Sequence, residues 1–160
     1  MVFDPVSCRD GGNSVKFIFG QDEILTRWLI DKVPHMEGMP EKARAIGITD
    51  SDGRLIAVGV YYNWSERFKS IEFAGASITP KWMSREVLSV LFKYPFVQLG
   101  CERLTLVIPR RNRRARRVIE GLGFVLEGKA RKGFLDDDAM IYGILREEAE
   151  RWMMLERKAA

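Results

Sequence analysis

The densest chemical feature of the chain is an arginine run. Arg110, Arg111, Arg113, Arg114, Arg116 and Arg117 fill six of the eight positions 110–117. Cations at a helix amino terminus face the wrong end of the dipole and repel one another. Glu120 is the carboxylate within helical reach, so the run calls for an anionic partner or else forms a fully solvated face. A second feature is the small run Ala74-Gly75-Ala76-Ser77. Within a strand, such residues admit a close approach to the backbone or tight packing against a helix. Trp82 could stack on a planar ligand or pack in its loop. Other chemistries are short of residues. Cys8 and Cys101 stand far apart and His35 is the sole imidazole, so no Cys/His metal centre is expected. A histidine-dependent triad would have to use His35.

The elements that must position these residues follow from composition and periodicity. The chain has 160 residues, 46% of them hydrophobic and 30% charged, with a net charge of +4. One domain over residues 1–160 is expected, with a core that needs no disulfide or metal. No apolar run reaches ~18 residues, so no membrane span is expected. The acidic, weakly apolar start is unlike a signal peptide, which points to the cytoplasm. Residues 14–19 alternate like a strand. Residues 21–33 carry Leu25 and Leu29 at helical spacing up to Pro34. Asp50-Ser51-Asp52-Gly53 reads as a hairpin turn. In the strand expected over 68–78, Glu72, Ala74, Ala76 and Ile78 share one face. A helix is expected over 84–98, with Pro95 freeing the Leu91 carbonyl. A strand follows, then a helix opened by Asn112 and stopped by Gly123. Two closing strands and an amphipathic helix over 147–158, anchored by Trp152 and Leu155, complete an α/β, mixed-sheet fold.

Asn112, Ala115, Val118, Ile119, Glu120, Leu122, Gly123 and Phe124 also stand at a recognisable spacing. Glu127, Gly128 and Arg131, then Asp138, Ala139 and Tyr142, continue it. On these residues, positions 71–152 resemble the GNAT (GCN5-related N-acyltransferase) superfamily, especially its branch that acetylates protein amino termini. Residues 82–104 are similar to phage-encoded relatives. The resemblance implies a central splayed mixed sheet of six to seven strands, flanked by helices on both faces. It implies acetyl-CoA as cosubstrate, no metal, and direct transfer of acetyl to a primary amine of an unidentified acceptor. The pantetheine arm would lie along the 68–78 strand at Ala76 and Ile78. The pyrophosphate would sit over the 80–86 loop at Met83, Ser84 and Arg85. Asn112 and Arg117 would complete the cofactor site. Trp82 and Ser84 stand where the family carries glycines, a departure in the phosphate loop.

The same resemblance makes Glu72 the general base. Ile119 occupies the place of the usual tyrosine acid, which leaves Tyr62, in the cluster Tyr61-Tyr62-Asn63, as the candidate acid. Tyr142 is expected to be structural, and His35 falls in the segment that covers the acceptor. Glu72 could instead pair with Lys69, Arg103 or another cation. The arginines would meet CoA phosphates, nucleic acid or an acidic protein. Two other readings stay open: a nucleic-acid-modifying member (Mom-like, or acting on aminoacyl-tRNA) and a binding module without catalysis. A monomer or homodimer is expected.

Overall fold

The computed structural model describes residues 15–38 and 42–154, so Cys8 and Leu155 lie outside the described residues. The elements are β1 (Lys16–Ile18), α1 (Asp22–Lys32), β2 (Arg44–Thr49), β3 (Leu55–Ser65), β4 (Ser70–Ser77) and α2 (Arg85–Lys93). They continue with β5 (Arg103–Pro109), α3 (Arg113–Leu122), β6 (Val125–Phe134), β7 (Asp137–Leu145) and α4 (Arg146–Met153). The seven strands run in the order β1-β2-β3-β4-β5-β7-β6. The sheet is mixed: β4 and β5 are parallel, while β2–β3, β5–β7 and β6–β7 are antiparallel. A mixed α/β sheet of seven strands is within the six to seven expected. Contacts divide the chain into two compact units, residues up to 63 with 74–91, and residues 64–73 with those from 92 onward.

In the first unit the helical spacing of Leu25 and Leu29 does what it predicts. Both are buried, in a core with Ala43, Ala45, Val58 and Val60. Gly47 makes the close packing possible, because a Cβ there would come 2.9 Å from Leu25. Asp22 ties α1 to β2, accepting the Ala45 amide at 2.8 Å and pairing with Arg44 at 2.9 Å. Asp50 closes the β2–β3 turn by accepting from the amides of Asp52 and Arg54. β3 runs on to Ser65, so the cluster Tyr61-Tyr62-Asn63 lies within the strand. Tyr61 is buried, and its hydroxyl donates to the Leu91 carbonyl at 2.6 Å. That is the carbonyl to which Pro95 has no N–H to return. Tyr61→Phe should therefore cost about 1–3 kcal/mol, the range for a buried polar group stripped of its partner. A urea titration reads the loss, and an unchanged midpoint would show that the carbonyl finds another donor.

In the second unit the expected 84–98 helix is shorter. α2 ends at Lys93, and Tyr94–Gln98 form a π-turn in which the Leu99 amide donates to the Tyr94 carbonyl. Proline drives the change, since it cannot continue the α-helical ladder. Phe96 is fully buried, and its ring stacks on Phe92 at 6.2 Å. The long register of β5 on β7, Arg103↔Leu145 to Pro109↔Ala139, brings Tyr142 beneath α3. Gly123 adopts φ 104°, the left-handed stop that ends α3. α4 begins at Arg146, one residue before the expected start. Trp152 anchors it by donating from Nε1 to the Leu122 carbonyl at 2.7 Å.

Candidate active site

The first residues of interest lie on β4, on β3 and at the start of α2; Glu72 belongs to the second unit, and Tyr62, Ala74, Ala76 and the start of α2 belong to the first. Alternation along β4 gives Glu72, Ala74 and Ala76 one face. Ala74, Ala76 and Tyr62 all pack against the Leu25–Leu29 core. Both Glu72 and Tyr62 are half-buried.

Backbone direction corrects the sequence reading at Ala76 and Ile78. Ile78 donates its amide to the Ile56 carbonyl at 2.9 Å, so that amide is committed to β3. In a strand the N–H and C=O of one residue point the same way and successive residues alternate, so Ala76 is turned to β3 as well. The odd-numbered residues follow Lys69, whose carbonyl accepts from the Glu102 and Arg103 amides. The residues turned outward from β3 are therefore Gly75 and Ser77. The parallel register with β5 covers Ser70↔Arg103 to Glu72↔Thr105, while β4 itself runs to Ser77. Strand parity is set by pairing, which is why the sequence pattern could not reveal it.

Beyond β4, Trp82 is buried and therefore offers no stacking face to a ligand. Ser84 is exposed and caps α2, its Oγ accepting the Val87 amide at 3.2 Å. Met83 is half-buried, and Arg85 is exposed at the first helical position. His35 is exposed in the short 3-10 turn Pro34–Met36, and desolvation pulls its pKa below the ordinary histidine value.

In the second unit Asn112 caps α3, its Oδ1 accepting the Ala115 amide at 3.2 Å. Contrary to the expectation that Glu120 alone could serve the arginines, Arg116 Nε donates to the Tyr142 hydroxyl at 2.9 Å. That hydroxyl donates to Glu120 at 2.6 Å. Burial, then the bond to Glu120, raises the Tyr142 pKa, so it holds its proton. Tyr142 is fully buried, with both neighbours of its hydroxyl on α3. Asp137 accepts the Arg111 amide at 2.8 Å, which lowers its pKa, and lies 3.9 Å from Arg110. Arg103 is paired with Glu127, whose pKa the guanidinium holds down. Ile119 is buried. Arg117 is exposed. Among the described residues no His, Cys, Asp and Glu side chains group so as to hold a metal ion, and no helix is long and apolar enough to cross a membrane.

No protein-family model and no curated protein sequence matches the chain. Solved structures do. The spermidine/spermine N-acetyltransferase SpeG from Vibrio cholerae is similar at 17% identity and a TM-score of 0.69, over 86% of this chain and 98% of that one. The dodecameric structure of the Vibrio cholerae spermidine N-acetyltransferase matches at 17% identity and 0.68, over 85% and 96%. The Vibrio cholerae spermidine N-acetyltransferase in complex with CoA and spermine matches at 18% identity and 0.68, over 84% and 97%. At such identities the likeness establishes the fold.

Proposed function

We propose that the chain transfers acetyl from acetyl-CoA to a primary amine. The observation that carries this reading is the passage from the small-residue end of β4, through the 78–84 loop, into the Ser84-capped start of α2. The structures that share the fold include one bound to CoA. Gly75 and Ser77 present backbone groups that can pair with a pantetheine amide. Their small size permits the approach. The first turn of α2, with Met83, Ser84 and Arg85 at its entry, suits a diphosphate because helix N–H groups and dipole favour anions there. These residues fit the cosubstrate, although Trp82 and Ser84 replace the usual glycines. Trp82 is turned into the core and so does not block the loop.

Bound acetyl-CoA supplies a thioester carbonyl as the electrophile. Glu72 takes the proton of the incoming ammonium, directly or through one water, so that the amine lone pair can form the C–N bond. Tyr62 gives its proton to the sulfur as the C–S bond breaks and regains one as the new amide nitrogen sheds its second proton. Residues 1–160 form the acyltransferase domain, which works where acetyl-CoA is made available, in the cytoplasm. Acetyl-CoA at 100 times its dissociation constant should stabilise the fold by about 2.7 kcal/mol. A thermal melt unmoved by millimolar acetyl-CoA would overturn the reading and leave a binding module of the same fold.

A further inference from the structure

The chain's entire positive surplus lies in one stretch of the second unit. Residues 110–138 carry nine Lys and Arg against five Asp and Glu, a difference of +4 that equals the net charge of the whole chain. Most of the carboxylates are engaged within the fold. Glu127 pairs with Arg103, and Glu120 accepts from Tyr142. Asp137 accepts the Arg111 and Asp138 amides, and Asp138 accepts the Lys132 amide at 3.0 Å. The cations are turned the other way. Arg113, Arg114, Lys129, Arg131 and Lys132 are all exposed.

The register gathers them. Tyr142 reaches α3 through Arg116 and Glu120, so α3 covers the face of β7 that carries Tyr142 and, two residues earlier, Met140. Lys129 is the cross-strand partner of Met140 and shares that face. Lys129, Arg131 and Lys132 together line an open groove of about 640 Å³, with Asp138 as its acidic member. β6, which carries the groove, is the terminal strand of the sheet order. The basic start of α3 and the basic edge strand therefore belong to one side of this unit.

We propose that this surface binds the sugar–phosphate backbone of double-helical nucleic acid. Residues 110–117 and 125–133 contain no Phe, Tyr or Trp, so the surface has no platform on which unpaired bases could stack. Phe124 and Phe134, which flank the 125–133 stretch, are buried and half-buried. Exposed Arg and Lys read charge and not sequence, which is the chemistry of phosphate contacts. DNA and RNA duplexes share that chemistry. The inference goes beyond acyl transfer and stands without it.

The test is fluorescence anisotropy of a labelled DNA duplex, an RNA duplex and a single strand over a potassium chloride series. It uses the full chain and the variants R113Q/R114Q and K129Q/R131Q/K132Q. Log affinity for a duplex should fall linearly with log salt, and the slope should shrink by about 2 and about 3 in the two variants, near one per lost phosphate contact. The stronger of the two duplexes identifies the natural partner. Thermal melts verify that each variant folds, and the single change Lys129→Gln, with a slope change of about 1, replaces a variant that does not. Absence of duplex binding at low salt, slopes unchanged in either variant, or tighter binding of the single strand would overturn the proposal. Tighter binding of polyglutamate than of either duplex would also overturn it, assigning the surface to an acidic protein.

Discussion

Glu72→Gln is expected to reduce turnover by about 10²–10⁴-fold while leaving acetyl-CoA affinity unchanged, the range for losing a general base. Gln keeps the size and hydrogen-bonding shape of Glu but cannot take a proton at neutral pH. The base acts on the amine, so binding of the thioester partner does not depend on its charge. Glu72 lies in the last pair of the parallel β4–β5 register, half-buried and on the face of β4 that continues through Ala74 and Ala76. Single-turnover rates and cofactor titration, measured side by side, separate the outcomes. Equal losses of rate and affinity would make Glu72 a structural residue. An unchanged rate would remove it from the chemistry.

Phe96→Ala should destabilise the fold by about 3–5 kcal/mol, as deleting a buried aromatic ring leaves a cavity that neighbours fill incompletely. The ring is fully buried and stacked on Phe92, which in turn meets Phe124 at 6.2 Å. The backbone carbonyl of Phe96 accepts from the Arg146 guanidinium, so the cavity would open beside the start of α4. For a chain of this size the cost corresponds to a fall in Tm of roughly 6–20 °C. Its neighbour Val97 is 46% exposed in the same π-turn. Val97→Ala should stay within about 0.5 kcal/mol. Calorimetry on the pair distinguishes a packing effect from a general sensitivity of the turn, which would lower both midpoints alike.

Local signals carried most of the fold. Asp50 through Gly53 closes the expected hairpin, Asn112 caps the expected helix and Gly123 ends it, because caps and turns are decided within a few residues of chain. The candidate site was legible in part. Ser84 caps α2 as its hydroxyl allows, but the side of β4 turned away from β3 belongs to Gly75 and Ser77 and not to Ala76 and Ile78. That parity depends on which residue of β4 pairs with Ile56, a partner from another strand. Arg116 meets Tyr142 across 26 positions of sequence, beyond the reach of helical spacing. Trp82 could not be resolved between stacking and packing, because its neighbours in the loop carry no periodic pattern. In each case the missing information was tertiary.

The hydroxyl of Tyr61 and the proline at position 95 are linked through a single oxygen, the Leu91 carbonyl. Among relatives the two positions should therefore vary together. A lineage that replaces Pro95 regains an amide able to serve that carbonyl and becomes free to carry Phe at position 61. A lineage that keeps the proline should keep the tyrosine. Pro95→Ala made first should soften the effect of Tyr61→Phe made second, so the order in which the two changes accumulate decides whether the path between them passes through a weakened protein.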